Sequence, residues 1–334
     1  MTALELTDVV VDYERRGGGR VRAVAGASIS VERGQIVGLV GESGCGKSTF
    51  ARAAVGLVRM TSGSVVFEGR EIVPLARRGR PRDLARLQLV FQNPYASLNP
   101  RRKVGSQLAD ALETLDLVPV AGRPARVREL CELVGLPPTA ADRFPHEFSG
   151  GQRQRIAIAR ALAADPSVIV LDEPLASLDA SAQAQLANLL VSLSRELGLG
   201  LLLISHDLAI VHHVADAVSV MYLGRMVETG ATSRLWEQPL HPYSESLINA
   251  IPHPDGSGFL PNALPGEVPD PGQPPSGCRF HPRCPYAFSR CSVDEPALVA
   301  LAGGRTAACW LQPEGAIAAS PAERARLVAG GDVQ

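Results

Sequence analysis

Gly41-Glu-Ser-Gly-Cys-Gly-Lys-Ser-Thr49 decides the fold. It follows G-x-x-x-x-G-K-[ST], a loop whose backbone N–H groups wrap phosphate oxygens. Before it, Gln35-Ile-Val-Gly-Leu-Val40 is a short apolar run that reads as a buried strand. After it, Ser48 to Leu57 is Ala-rich and reads as a helix. Strand, glycine turn and helix are the context the motif needs, and they make it far more specific than the bare pattern. Gly41, Gly44 and Gly46 free the backbone to point its N–H groups inward at the positive end of a helix. Lys47 would reach the β- and γ-phosphates, and the Ser48 hydroxyl would ligate Mg²⁺. These residues imply a nucleoside triphosphate.

Composition narrows the setting. At 334 residues the chain has length for about two domains and a packed core. A net charge of −1 leaves no electrostatic footprint for nucleic acid. The longest apolar candidate, Leu197 to Ile204, is short and Gly-broken, well below the ~18 residues of a membrane span. The start, Met-Thr-Ala-Leu-Glu-Leu-Thr-Asp, lacks the basic and apolar regions of a signal peptide, so a cytosolic, reducing setting is expected. There, a crowd of cysteines suggests metal before disulfides, and four of the six lie within 278–309.

Along the chain, 4–12 and 21–31 read as strands around a Gly-Gly-Gly turn at 17–19. Tyr13 ends the first strand, and an aromatic face there suits stacking on a flat base. Ser64 to Arg70 reads as a hairpin, and the arginine-rich 77–86 as a solvated basic surface. Leu87 to Gln92 is an apolar strand ending on glutamine. From about 93 to 165 the pattern is helical, with Ser149-Gly-Gly-Gln152 opening a helix that presents Ile156, Ala157, Ala161 and Leu162 on one face. Ser167 to Pro174 is a buried strand tipped by Asp172 and Glu173; Ala180–Leu197 is a helix, Leu201–His206 a strand, and 207–215 a helix. A late hairpin joins 218–221 to 224–229. The alternation argues an α/β sheet with an inserted helical lobe. Residues 252–277 are rich in Pro and Gly, suited to an extended connector, and a cysteine module and an Ala/Arg-rich tail follow.

Asp172 ends its strand at the carboxyl edge, where α/β folds place ligands, and can hold Mg²⁺ opposite Ser48. Glu173 is the candidate general base for an attacking water. Ser149-Gly150-Gly151 at a helix start is a second anion nest, and one nucleotide does not easily fill two, which suggests two copies facing head-to-tail.

The phosphate loop, Phe148-Ser-Gly-Gly-Gln152, Leu171-Asp-Glu-Pro174, Ser177-Leu-Asp179 and Ser205-His206-Asp207 occur in the order seen in ABC-type ATPases. The resemblance covers residues 4–250. It implies a P-loop NTPase fold of the ABC type, with an antiparallel β subdomain, an inserted helical subdomain at about 93–165, a linker at 251–277 and a Cys-rich extension at 278–334. It implies ATP and Mg²⁺, with Ser43, Cys45 and Thr49 joining the other loop residues around ATP and Tyr13 stacking on adenine. Gln92 resembles the glutamine that touches Mg²⁺ and senses the γ-phosphate, and His206 the switch histidine. Ser149, Gly150, Gly151 and Gln152 resemble the signature that binds the opposite subunit's ATP; Phe148 stands where Leu is commoner, a packing difference. Asp179 resembles the residue that crosses the dimer interface.

Gln238-Pro-Leu-His-Pro-Tyr243 with Leu247 resembles the C-terminal extension of oligopeptide and dipeptide importer ATPases. Asn93 to Arg101 resembles their surface facing the membrane subunits. The resemblance implies two permease subunits, a second ATPase subunit (a paralogue or this chain itself), an external solute-binding protein met indirectly, no nucleic acid, and a peripheral place on the cytoplasmic face of the membrane. Cys278, Cys284, Cys291 and Cys309 recur in that extension, some members of which carry a 4Fe–4S cluster, and the resemblance implies one here, with zinc as the alternative. On residues alone, iron–sulfur, zinc and unligated thiols stay open, because neither C-x2-C zinc pairs nor the bacterial ferredoxin run is present. Cys45, at a helix start, is expected to have a low pKa and be sensitive to oxidation. Two other classes fit less well. A nucleic-acid or ribosome ATPase would show coiled coils, two ATPase sets or basic surfaces, and a non-hydrolysing sensor would lack Glu173 or His206.

Overall fold

The computed structural model describes residues 2–15, 18–74, 81–94, 97–251 and 266–312. The 17–19 turn, the basic 77–86 stretch, the 252–277 connector, the Asn93–Arg101 segment and the terminal tail fall partly or wholly outside them.

The chain first makes β1 (Thr2–Glu14) and β2 (Arg20–Glu32), paired antiparallel. It next enters β3 (Ile36–Val40), turns through the glycine loop into α1 (Lys47–Ala54), and returns as β4 (Ser62–Phe67) and β5 (Arg70–Glu71). The outer sheet has the order β2-β1-β4-β5, all antiparallel. Apolar side chains of α1, Phe50 and Ala51 among them, fill the space between this sheet and the faces of β3 and its neighbours.

The larger sheet holds the site. After β6 (Leu87–Val90) come α2 (Val104–Leu115), α3 (Arg123–Leu133) and α4 (Gly150–Leu162), then β7 (Val168–Asp172). From there run α5 (Ala180–Leu197), β8 (Gly200–Ser205), α6 (Leu208–Val214), β9 (Ala217–Tyr222) and β10 (Arg225–Ala231). The C-terminal part adds α7 (Thr232–Glu237), α8 (Pro242–Asn249), α9 (Ser289–Val293), β11 (Val299–Leu301) and β12 (Arg305–Ala307). Strand order is β11-β12-β10-β9-β3-β8-β7-β6, parallel from β9 to β6 and antiparallel from β9 to β11. Every residue of β3, β7 and β8 is buried, as parallel strands covered on both faces require. The carboxyl ends of β3, β7 and β8 therefore open on one edge, and that edge carries the loop, Asp172–Glu173 and His206.

The last two strands were not anticipated. β12 pairs with β10 through Glu228↔Ala307 and Thr229↔Thr306, so residues beyond 300 extend the sheet that carries the site. Phe280 is buried in the same apolar cluster as Tyr222 and Tyr243. Glu228, fully buried, accepts from the N–H groups of Leu240 and His241 and pairs with Arg305 at 3.0 Å.

Candidate functional site

The loop leaves β3 and is forced into left-handed backbone by crowding. Gly46 has φ 106°, and a Cβ there would lie 2.2 Å from the carbonyl oxygen of Ala23. Gly41 is as tightly held, since a Cβ would meet the Met221 carbonyl oxygen at 2.1 Å. Only glycine fits both positions. Lys47 opens α1 buried, and its ammonium donates to the carbonyls of Gly41 at 2.7 Å and Glu42 at 2.9 Å. The rim of the loop, Ser43 and Gly44, is exposed, while Ser48 and Thr49 are half-buried behind it.

Across the loop, Ser48 Oγ donates to Asp172 Oδ1 at 2.8 Å. Burial pushes the Asp172 carboxyl up, only partly opposed by the Ser48 hydrogen bond and by Arg52 and Lys47. A divalent cation at this pair would supply the charge that burial lacks, so the hard oxygen donors present fit Mg²⁺.

Next to it, two side chains converge on one oxygen of a third. Gln92 Nε2 donates to Glu173 Oε2 at 3.1 Å, and His206 Nδ1 lies 3.3 Å from the same atom. Glu173 reaches this place with φ 49°, left-handed for a residue with a Cβ, while its N–H donates to the Ile204 carbonyl of β8 at 3.0 Å. Such backbone costs of order 1–3 kcal/mol and persists where surrounding structure holds it. Its carboxylate is largely shielded and His206 is exposed, so the cluster lies at the mouth of the loop edge.

Ser149 caps α4: its Oγ accepts from Gln152 N–H at 3.3 Å, and Gln152 Oε1 accepts from Ser149 N–H at 3.0 Å. Ser149, Gly150 and Gln152 are exposed and Gly151 is half-buried. Asp179 caps α5 by accepting from Ala182 N–H at 2.9 Å and is likewise exposed. Tyr13 lies on β1 opposite Val21, 40 % exposed. The contacts of the chain thus join Lys47 and Ser48–Asp172 in one group and Gln92–Glu173–His206 in a second group adjacent to Asp172. They leave Ser149–Gln152, Asp179 and Tyr13 outside both, on the surface.

Two expectations need revision. Cys45 is 3 % exposed, and burial pushes its thiol up despite the neighbouring Lys47, so it is not the low-pKa thiol its helix-start position suggested. The cysteine set is mixed. Cys278, Cys284, Cys291 and Cys309 line one enclosed cavity with His241 and His281, but its volume is about 20 Å³. That is room for about one water, far less than a four-iron cluster needs. Among the described residues no group of three or more His, Cys, Asp or Glu is arranged to hold a metal ion. Burial holds the Cys278 thiol up at about 11 and also raises Cys291. The donor chemistry suits a soft metal, while the space and arrangement give the cluster no support.

Glu42, Tyr243 and Arg283 had no signal that assigned them to the site. Tyr243 stands in a recognised stretch, but its hydroxyl contacts the phosphate loop, accepting from Glu42 N–H at 2.8 Å.

Comparison with known proteins agrees with this geometry. Residues 24–176 match the family model described as ABC transporter, and residues 227–291 match that described as oligopeptide/dipeptide transporter, C-terminal region. The chain is 46% identical over 316 residues to a probable peptide ABC transporter ATP-binding protein of Sinorhizobium fredii, covering 94% of this chain and 90% of the relative. It is 43% identical to the oligopeptide transport ATP-binding protein AppF of Bacillus subtilis, with 93% and 97% covered. It is 46% identical to the di/tripeptide transport ATP-binding protein DppF of Pseudomonas aeruginosa, with 89% and 94% covered. Among solved structures it is similar to cbiO1 of Clostridium perfringens, part of an ABC transporter complex, at TM-score 0.62 and 28% identity over 71% of this chain and 91% of the other. A dimeric ATP-binding cassette in a post-hydrolysis state with ADP and Pi matches at TM-score 0.61 and 25% identity, over 69% and 98%.

Proposed function

The chain belongs to the ABC transporter ATP-binding family, its fold is that of an ABC ATPase, and on that premise we propose that it hydrolyses ATP to drive import of di- and oligopeptides. The observation that carries the reading is Gln92 and His206 meeting on Glu173 Oε2, next to the buried Ser48–Asp172 pair. A cation-binding pair and a base beside the phosphate loop are what hydrolysis needs and what a passive nucleotide sensor does without.

In this reading the loop N–H groups and Lys47 hold the β- and γ-phosphates, and Tyr13 stacks on adenine. Ser48, Asp172 and Gln92 would hold Mg²⁺, which neutralises phosphate charge. Glu173 accepts the proton of the attacking water, and His206 steadies the γ-phosphate. Ser149, Gly150, Gly151 and Gln152 bind the ATP of the facing subunit, and Asp179 crosses that interface. Their exposure supports this, since the α4 nest opens to solvent. ATP then closes two ATPase subunits and hydrolysis releases them.

We assign the membrane partners to a separate surface, which shares no residue with the ATP site. A groove of about 880 Å³, lined by Gln88, Asn99, Arg102, Gln107, Asp110 and Arg160, lies between the segment after β6 and helices α2 and α4. It is our candidate seat for the permease subunits, with the inserted helical subdomain at 93–165 as its frame. No helix among the described residues is long and apolar enough to cross a membrane. We place the chain peripherally at the cytoplasmic face on its likeness to ATP-binding proteins of peptide transport. As a division of the sequence we keep 1–250, 251–277 and 278–334, although β11 and β12 of the third part join the sheet of the first.

For the cysteines, a metal centre would rest on the soft-donor chemistry of the four thiols alone, with a 4Fe–4S cluster as the first reading and zinc as the second, and the small cavity would have to widen to take the cluster. Either would staple a stretch with little core of its own. Iron, acid-labile sulfide and zinc measured on anaerobically purified protein, beside Cys284→Ser, decide it; absence of all three rejects both. Hydrolysis itself is tested by Glu173→Gln, argued below.

A further inference from the structure

Glu42, the second residue of the phosphate loop, is held from three directions. Its carbonyl accepts from Lys47 Nζ at 2.9 Å, and its N–H donates to Tyr243 Oη at 2.8 Å. Its carboxylate is gripped by Arg283, Nη1 to Oε2 at 2.7 Å and Nη2 to Oε1 at 3.0 Å. This is the two-pronged pairing that gives a guanidinium geometric specificity as well as charge. Arg283 is 5 % exposed, with its Nη1 also donating to Tyr222 Oη at 3.3 Å. Tyr222, Tyr243 and Phe280 pack ring against ring around it, with centroids 4.6 to 5.4 Å apart.

A second arginine of the same stretch reaches the same turn. Arg279 donates to the carbonyl of Leu223, and the N–H of the following Gly224 donates to the Cys45 carbonyl at 2.7 Å. Leu223 is itself left-handed, with φ 43°. The segment between Cys278 and Cys284 therefore braces the phosphate loop directly through Glu42 and indirectly through the β9–β10 turn.

The pairing matters electrostatically because Glu42 is an anion in a loop that must receive an anion. Unpaired, its carboxylate would oppose the triphosphate; paired, its charge is compensated before ATP arrives. We infer that Arg283 and Tyr243 are positioning residues for ATP, which make the C-terminal region a working part of the phosphate site. The inference rests on the loop being the ATP site, and a Lys47→Ala control separates the two.

ATP affinity of the full-length chain by titration calorimetry, with melting temperature measured alongside, tests it. Arg283→Gln should weaken ATP binding about tenfold, and Tyr243→Phe several-fold, both with chains still folded. Adding Glu42→Gln to Arg283→Gln should recover most of the affinity, because the uncompensated carboxylate is gone; a merely structural brace would not recover it this way. Should Arg283→Gln fail to fold, Tyr243→Phe and Glu42→Gln with Arg283→Met carry the test. Parental affinity in folded Arg283→Gln and Tyr243→Phe, or no recovery in the double variant, overturns the inference while Lys47→Ala still loses binding. If Lys47→Ala binds ATP as the parent does, the fault lies in the phosphate-loop reading instead.

Discussion

At Glu173 a single carboxylate oxygen takes a hydrogen bond from Gln92 and contacts His206, so a small chemical change there separates binding from turnover. Glu173→Gln keeps the shape and removes the base. It should retain ATP affinity and lower phosphate release by about 10²- to 10⁴-fold, the usual worth of general-base catalysis. Release at the parental rate would remove Glu173 from the role. Cys45 provides a second check. With its thiol buried and its titration pushed upward, Cys45 in the folded chain should alkylate with iodoacetamide more slowly at neutral pH than in its free tryptic peptide. Alkylation as fast as the free peptide would restore the reactive-thiol reading. The residues we assign to the reaction were nameable from the sequence because each belongs to a short local motif. Arg283 was not, since it meets Glu42 across 241 positions and no local pattern encodes such a pairing.

Elements make two roles separable that a residue list merges. Ser149 is both the cap of α4 and, in our proposal, a ligand of the facing ATP. Aspartate caps a helix about as well as serine but brings a charge to the proposed γ-phosphate site. Ser149→Asp should therefore keep the parental melting temperature and lose ATP hydrolysis; full hydrolysis would mean the nest is only a cap. At the other edge, Arg305→Met strands buried Glu228 without its cation. It should lower unfolding free energy by about 3–5 kcal/mol in urea titration, the range for half-broken buried pairs. A change below 1 kcal/mol would show that the Leu240 and His241 N–H groups alone satisfy the carboxylate. Long, strongly patterned elements were readable: the helix expected at Ala180–Leu197 is α5. β11 and β12 were not, because strands of three residues carry almost no periodicity. The Gly303-Gly304 pair between them was the available hairpin signal.

In the molecule as a whole, the phosphate-loop edge, the surface nest at the start of α4 and the groove beside α2 and α4 are separate features around one eight-stranded sheet. The order of motifs made the family readable, because it follows the order of the strands that end at the site. What the order could not convey is that the chain beyond 266 folds back onto the phosphate loop and the sheet, since a Pro/Gly-rich stretch reads as separation. The most direct test of peptide-import function is uptake of a radiolabelled tripeptide by cells whose only copy of this subunit is parental or Glu173→Gln. Uptake should be energy-dependent with the parental chain and at background with the variant. Equal uptake in the two strains, with the variant present at parental levels, would contradict it.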